Sequence, residues 1–236
     1  MFKSTVITYI NFLLKNSDEC IIALTGPAGV GKTFVSNNIE SNSKTIYSID
    51  YRFIGSSQER KLLLEFKNQN GIDGYIDACN QFNWWDWDRI EQDIIDLSHG
   101  KQVEIENCYN RASGKNDFLL ILHPSKKIIV EGALLGGHSL ITHFDHTLFL
   151  YRDCLKRFLS LVEKDMNKRT FNEIVARFLI TQYSESFYYN TYIFREDPNI
   201  RFFNLESDDF CTLTQMKYLY KDQQFIPIFS DLITNK

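Results

Sequence analysis

The segment that most constrains this chain is the glycine-rich turn at residues 26–33, Gly-Pro-Ala-Gly-Val-Gly-Lys-Thr, which we call the phosphate loop. It follows an apolar run at residues 20–24 and precedes a segment that can continue as a helix. When a glycine-rich turn of this spacing connects a buried strand to the start of a helix, its backbone N–H groups can surround the phosphates of a nucleotide. The sequence therefore predicts a binding site for a nucleoside triphosphate.

Individual positions in the phosphate loop have distinct expected roles. Lys32 is expected to reach the β- and γ-phosphates, and the Thr33 hydroxyl group is expected to bind Mg²⁺. The helix N-terminus after the loop adds partial positive charge. The predicted residues that bind the nucleotide, ATP or GTP, are Gly26, Ala28, Gly29, Val30, Gly31, Lys32, Thr33 and Phe34.

Length and composition narrow the class of protein. The 236 residues suit one domain, and an apolar content of 44% argues against global disorder. A net charge of −4 gives no general attraction to nucleic acid or an anionic membrane, and no apolar run is long enough to cross a bilayer. Five scattered cysteines without a Cys-x-x-Cys pair indicate reduced thiols. We predict a cytoplasmic protein that acts on a small molecule, not on nucleic acid or a membrane.

Apolar runs alternate with helical patterns along the chain, which is typical of an α/β fold with a mostly parallel sheet and helices on both faces. Strands are predicted at 20–24, 43–49, 103–105, 118–122, 128–130, 148–151 and 200–204. Helices are predicted at about 2–15, 34–41, 58–67, 88–98, 153–168 and 171–187, with a loop at 107–116. We predict one domain over residues 1–236, with a substrate-binding insertion at about 51–125 and a helical lid at about 153–190.

Two carboxylates stand where predicted strands end. Because ligands of such sheets lie at the carboxyl ends of strands, we expect Gly26, Asp50 and Glu131 at one edge. Asp50 is the predicted general base for an acceptor hydroxyl group, and with Lys32 it forms the predicted catalytic pair. Glu131 ends an apolar strand, and because a buried carboxylate without a partner is costly, we expect its side chain to face the nucleotide cleft. There it is predicted to hold Mg²⁺ through water. The alternatives are a turn or helix-cap aspartate for Asp50 and a structural ion pair for Glu131.

From the phosphate loop onward, the order of motifs resembles the uridine kinase family of P-loop small-molecule kinases. The resemblance spans roughly residues 20–190 and rests on Asp50 with Tyr51 and Phe53, on Asp96-Leu97 and residues 100–103, on Tyr109-Asn110, on residues 128–132 (Ile-Ile-Val-Glu-Gly) and on the basic helix at 157–169. It implies a P-loop NTPase three-layer sandwich and phosphorylation of a nucleoside hydroxyl group, most simply of uridine or cytidine, with ATP and Mg²⁺. It also allows a homo-oligomer.

The chain departs from that family pattern at three places. The family usually has an aspartate before His-Pro where this chain has Asn83 and Trp84-Trp85, in a segment that is one residue shorter. A pair of arginines in the family's lid falls on Ser160-Leu161, and a lid glycine falls on Thr170. These departures leave open a kinase for another ribosyl or sugar acceptor, such as nicotinamide riboside, or a nucleotide-binding regulator without catalysis.

Candidate acceptor contacts follow the second strand and extend to the lid. A planar base could stack on one aromatic ring of residues 82–87, although core packing is the alternative for most of them. A loop carrying Tyr109 and Arg111 could bind substrate or be solvated. The predicted substrate-binding residues are Asp50, Phe82, Asn83, Asp86, Tyr109, Arg111 and Arg157. Lys164 and Arg169 are predicted to contact phosphate from the lid, with a solvated helical face as the alternative.

Overall fold

The computed structural model describes residues 4–40, 44–56, 58, 81–110, 113–137 and 139–221. The strands in these ranges are β1 (Cys20–Thr25), β2 (Thr45–Ser48), β3 (Val103–Asn110), β4 (Lys115–Leu122), β5 (Lys127–Gly132), β6 (His146–Tyr151), β7 (Ile200–Asn204) and β8 (Asp209–Cys211). The α-helices are α1 (Thr5–Asn16), α2 (Lys32–Asn37), α3 (Trp87–Ser98), α4 (Cys154–Asp165), α5 (Phe171–Tyr188) and α6 (Leu213–Lys221). None of these helices is long and apolar enough to cross a bilayer.

A six-stranded sheet in the order β2-β5-β1-β6-β7-β8 forms the centre of the molecule. Its first five strands pair in parallel, and β8 pairs antiparallel with β7 at one edge. Strands β3 and β4 form a separate antiparallel hairpin. The sheet confirms the predicted α/β class, because parallel neighbours need crossover segments that cover the sheet faces.

Different side chains cover the two faces of the sheet. Along β1, Ile22 and Leu24 belong to a mostly aliphatic core with α1 and α2, whereas Ala23 belongs to the core on the opposite face. The second core is rich in aromatic rings, among them Tyr47, Trp84, Trp85, Trp87, Phe149, Phe194 and Phe202. This alternation buries both faces of the central strands and gives the predicted three layers.

The predicted loop at residues 107–116 is wrong, because β3 and β4 continue through most of it as a hairpin. The pairing register shifts between Ile105 and Cys108, and Asn107 has a φ of 54°. This irregularity breaks the alternation of buried and exposed side chains from which a strand is predicted. Helix α2 is also shorter than predicted and ends at Asn37. Most of the predicted helix at 58–67 lies outside the described residues.

Candidate active site

The phosphate loop, Glu131 and Asp50 follow three adjacent strands at the same edge of the sheet. In β5, Glu131 pairs with Leu24 of β1 on one side and with Ser48 of β2 on the other. The phosphate loop begins directly after β1, and Asp50 lies two residues beyond Ser48 in a 3₁₀ turn at Ile49–Arg52. The strand order therefore brings together the three groups that the sequence predicted at one edge.

Two glycines of the phosphate loop occupy positions that a side chain would block. Gly26 has a φ of 143°, and a Cβ atom there would lie 2.5 Å from the Leu150 carbonyl oxygen. Gly29 has a φ of 77°, and its Cβ would lie 2.7 Å from the Arg157 carbonyl oxygen. The loop thus needs glycine both for its left-handed backbone and for its close packing against β6 and α4.

The Lys32 ammonium group lies against the loop that it is predicted to serve. Its Nζ donates hydrogen bonds to the carbonyl oxygens of Gly26 at 2.5 Å and Pro27 at 3.1 Å. A flexible lysine on the first helical residue can exchange such contacts for phosphate oxygens, because its charge sits at the end of a four-carbon stem. The first residues of α2 therefore supply a movable positive charge next to the loop.

Glu131 lies beside Thr33, the residue whose hydroxyl group is predicted to bind Mg²⁺. Its side chain is buried, and its two carboxylate oxygens accept hydrogen bonds from Thr33 Oγ1 at 3.2 Å and Ser36 Oγ at 3.0 Å. Hydroxyl and carboxylate oxygens are the ligand types that Mg²⁺ prefers, directly or through water. This donor set fits the predicted ion. Sequence reasoning missed Ser36, although its position three residues after Thr33 places both hydroxyls on one side of α2.

Asp50 is nearly buried, and its Oδ1 accepts a hydrogen bond from Trp85 Nε1 at 3.3 Å. The backbone around Asp50 is held by a second carboxylate, Asp93 of α3. Arg52 donates to both oxygens of Asp93, each at 2.7 Å, and the Tyr47 hydroxyl donates to Oδ2 at 2.7 Å. This cluster fixes both ends of the segment that carries Asp50.

The phenol of that cluster stays protonated. Burial, and then the neighbouring charge of Asp93, raise the pKa of Tyr47 well above its usual value. Tyr47 therefore remains a hydrogen-bond donor throughout the neutral range. Sequence reasoning missed both Arg52 and Asp93, because the contact joins residues 41 positions apart.

The aromatic residues near Asp50 pack mainly on one another. Phe53 stacks on Trp85 with ring centres 5.0 Å apart, and the edge of Tyr109 meets Phe53 at 5.0 Å. Phe82 stacks on Trp87 at 4.7 Å. The three tryptophans at positions 84, 85 and 87 are buried, which confirms core packing for most of this segment. Phe82 is partly buried and Asn83 is exposed, so these two keep surface for a ligand.

Other predicted acceptor contacts have structural partners. Asp86 caps α3, since its carboxylate accepts from the Arg89 backbone N–H at 3.2 Å. Tyr109 is buried in β3, not exposed in a loop as predicted, because its ring belongs to the aromatic core. Arg111 lies outside the described residues. Ribose contact by Asp86 stays a prediction.

The helices for which a lid was predicted also differ from expectation at one residue. Arg157 was predicted to contact substrate, but it is 1% exposed and donates to the Ala28 carbonyl oxygen at 3.2 Å. The reason is that its guanidinium group donates to the backbone carbonyl oxygens of Arg152 and Ala28, whereas Lys164 is exposed in the last turn of α4. Arg169 is half-buried and forms an ion pair with Asp165 at 2.9 Å.

The departure at Thr170 has a structural role. Its hydroxyl group accepts from the Glu173 backbone N–H at 3.3 Å, and the Glu173 carboxylate accepts from the Thr170 N–H at 2.9 Å. This capping box begins α5.

Phe34, which was predicted to bind nucleotide, is 57% exposed at the start of α2. The contacts predicted for Lys164, Arg169 and Phe34 stay predictions.

Comparisons of sequence identify curated kinases as relatives, although no protein-family profile matches the chain. A uridine kinase from Staphylococcus aureus (strain JH9) is 25% identical over 166 residues, which make up 67% of this chain and 75% of that protein. The uridine kinase of the Newman strain gives the same values.

Solved structures share the fold at lower identity. A Silicibacter protein described provisionally as a fructose transport system kinase has a TM-score of 0.59 and 14% identity, covering 85% of this chain and 98% of that one. YFH7 from Saccharomyces cerevisiae, also described provisionally, as a P-loop containing kinase with a circular permutation, has a TM-score of 0.58 and 9% identity, with 86% of this chain and 99% of that one covered. Phosphoribulokinase from Rhodobacter spheroides has a TM-score of 0.50 and 11% identity, with 79% and 71% covered. The chain is thus similar in sequence to uridine kinases over 67% of its length, and it shares its fold with these solved structures.

Proposed function

We propose that the chain is a kinase that transfers the γ-phosphoryl group of ATP to a hydroxyl group of a nucleoside, with uridine and cytidine as the first acceptors to test. The observation that carries this proposal is the common sheet edge, where the phosphate loop, Glu131 and Asp50 follow three adjacent strands. The curated uridine kinases support a nucleoside acceptor. GTP is the alternative phosphoryl donor.

The nucleotide side of the site would act through backbone and charge. Loop N–H groups and Lys32 hold the phosphates, and Thr33 with Glu131 would hold Mg²⁺, whose charge offsets the negative charge that develops on the phosphoryl oxygens. The hydrogen bond from Ser36 fixes the Glu131 carboxylate in this arrangement. Such preorganised groups lower the barrier because they need no rearrangement when charge develops.

The acceptor side would act through Asp50. A carboxylate at this position can accept the proton of the acceptor hydroxyl group as its oxygen attacks the γ-phosphorus, while ADP leaves. The indole of Trp85 orients the carboxylate by donating to Oδ1. Arg52 and Asp93 hold the backbone of the same turn.

A second acceptor class is a ribosyl or sugar compound other than a pyrimidine nucleoside. The exposed Asn83 and the buried Trp84 and Trp85 favour this second class of acceptor, since they stand where the uridine kinase family usually has an aspartate before His-Pro. Loss of a hydrogen-bonding carboxylate at Asn83 would relax the requirement for a particular pattern of ribose hydroxyl groups.

The cysteines support a reducing compartment for this reaction. Cys20, Cys108 and Cys154 are buried free thiols, and Cys211 is a half-buried one. Cys79 lies outside the described residues. Thiols of this kind persist in the cytoplasm, where glutathione and thioredoxin keep them reduced. We propose the cytoplasm as the place where the kinase acts.

An acceptor screen tests the proposal. Release of the nucleoside diphosphate, ADP from ATP or GDP from GTP, is measured with Mg²⁺ over uridine, cytidine, nicotinamide riboside and sugar phosphates, with Lys32→Ala as the inactive control. We expect one acceptor class to stimulate diphosphate release in the native protein and none to do so in Lys32→Ala, whose unfolding temperature should be unchanged. If no acceptor stimulates turnover while ATP still raises the unfolding temperature, the chain is a nucleotide-binding regulator and the kinase proposal is wrong.

A further inference from the structure

Ala28, the third residue of the phosphate loop, is bound through both of its backbone polar groups by side chains from two other helices. Its N–H donates to Glu185 Oε1 at 2.9 Å, and its carbonyl oxygen accepts from Arg157 Nη1 at 3.2 Å. Arg157 lies in α4 and Glu185 in α5. Side chains from outside the phosphate loop therefore bind its backbone at Ala28, a position that is not one of the glycines of the motif.

Arg157 is itself fixed in place. Its Nε donates to the Arg152 carbonyl oxygen at 3.2 Å, and its guanidinium carbon lies 5.5 Å from the centre of the Phe178 ring. Helix α4 approaches so closely that a Cβ on Gly29 would meet the Arg157 carbonyl oxygen. Because such close packing leaves no gap between them, a displacement of α4 would also displace the loop at this point.

Glu185 is completely buried, which is a costly place for a carboxylate. Burial raises the pKa of Glu185, while the positive charges of Arg157 and Lys32 and the Ala28 N–H oppose that rise. Its Oε2 lies 3.9 Å from Arg157 Nη1 and has no hydrogen-bond partner within the described part of the chain. A buried ion pair is often no more stabilising than an apolar pair of similar volume. Stability alone therefore does not account for these two charges.

We propose that Arg157 and Glu185 are positioning residues that hold the phosphate loop at Ala28 in the shape that binds nucleotide. This inference rests on the proposed function, since it concerns the same site. Backbone N–H groups bind phosphate well when they are oriented before the ligand arrives. Contacts on both sides of Ala28 restrict the rotation of its two peptide groups, and so reduce the conformational entropy that the loop loses on binding.

Two substitutions at Glu185 separate this role from simple packing. Glu185→Leu removes the acceptor for the Ala28 N–H, whereas Glu185→Gln keeps an acceptor oxygen in a side chain of nearly the same shape. The dissociation constant of a fluorescent ATP analogue is measured with KM for ATP and kcat. For Glu185→Leu we expect both binding constants to rise about tenfold and kcat to fall less than threefold, the pattern of lost uniform binding. Glu185→Gln should recover most of the affinity.

Glu173→Leu is the matched control in the same helix. Glu173 belongs to the capping box at the start of α5, twelve residues before Glu185 in the sequence. This variant should have a lower unfolding temperature and an unchanged dissociation constant for nucleotide. If Glu185→Leu shows only that same pattern, with native affinity in the folded protein, the positioning role is wrong.

A double variant keeps the test decisive if Glu185→Leu does not fold. Arg157→Met with Glu185→Leu replaces the charged pair by an apolar one, which should fold and still bind the analogue about tenfold more weakly. Native affinity in the double variant overturns the inference. If the native chain binds ATP but phosphorylates no acceptor, the kinase proposal alone is wrong. The effect of Arg157 and Glu185 on nucleotide binding can still be measured from the dissociation constants of the variants. A native chain that binds no nucleotide overturns both.

Discussion

The phosphate loop and the turn that carries Asp50 lie at the same edge of one sheet but are held in different ways. The loop depends on glycine geometry and on contacts to its backbone, as at Gly26 and Ala28. The Asp50 turn depends on side chains, namely the pair Arg52–Asp93 and the ring of Trp85. The nucleotide half of the site, which is the phosphate loop with Glu131, should therefore respond to changes at the side chains that bind its backbone, whereas the acceptor half, which is the turn around Asp50, should respond to changes in the side chains packed around it.

The largest expected effect is that of Asp50→Asn, which keeps the side-chain shape and removes the proposed base. General-base catalysis is typically worth about 10²–10⁴-fold, so kcat and kcat/KM should both fall by that factor. KM for ATP should change little, because the phosphate loop is untouched. The measurement is steady-state kinetics with the best acceptor from the screen.

Asp86→Asn is the control for that substitution, since Asp86 is a neighbouring carboxylate with a capping role. It should lower the rate far less than Asp50→Asn does. A loss smaller than about tenfold for Asp50→Asn, well below the usual range for a general base, would remove Asp50 from the mechanism. Asp86 would then be the carboxylate to test as base.

A stability measurement tests whether side chains hold the acceptor half. Asp93→Asn leaves Arg52 as a buried cation without its carboxylate, and breaking such a pair usually costs about 3–5 kcal/mol. Because Arg52 retains slight exposure, we expect about 3 kcal/mol in the free energy of unfolding, measured by urea denaturation. The double variant Arg52→Met with Asp93→Leu should recover much of the loss. Equal stability of the native chain and Asp93→Asn would show that the cluster does not hold the turn.

In both halves, the positions of strand ends could be predicted from the sequence better than the contacts between distant side chains. The residues after β1, β2 and β5 could be placed at one edge because strand ends in a parallel sheet meet there, which required only local patterns. The hairpin was missed because a bulge near Asn107 interrupts the alternation. The contacts of Arg157 and Asp93 join residues far apart in sequence, so their partners could not be read from spacing. Local geometry was predictable, and tertiary pairing was not.

Glu131→Gln tests the nucleotide half through its metal. Groups that orient metal ligands typically affect metal affinity by about 10–100-fold, so the Mg²⁺ concentration for half-maximal activity should rise by roughly that factor. The acceptor KM should change much less, because the contacts of Glu131 are with Thr33 and Ser36. Glu163→Gln, an exposed change in α4, is the control. An unchanged Mg²⁺ titration would make Glu131 a structural residue.

The smallest expected effect is that of Trp85→Phe, and it tests whether the aromatic cluster serves catalysis as well as packing. The substitution removes the indole N–H that donates to Asp50 and keeps a ring to stack on Phe53. At 3.3 Å this hydrogen bond is long, so its loss should cost roughly 1 kcal/mol, or about fivefold in kcat, with KM for ATP unchanged.

Trp84→Phe makes the same substitution in the adjacent buried residue, which gives a matched control for the loss of aromatic volume. Both variants should lose similar stability in urea denaturation, because each leaves a small cavity in the same core. Only Trp85→Phe should lower kcat at saturating ATP and acceptor. If the two variants lower kcat equally, the effect comes from packing, and the Trp85 hydrogen bond does not orient Asp50. If only Trp85→Phe does so, the acceptor half depends on a polar contact from its aromatic core, just as the nucleotide half depends on polar contacts to Ala28.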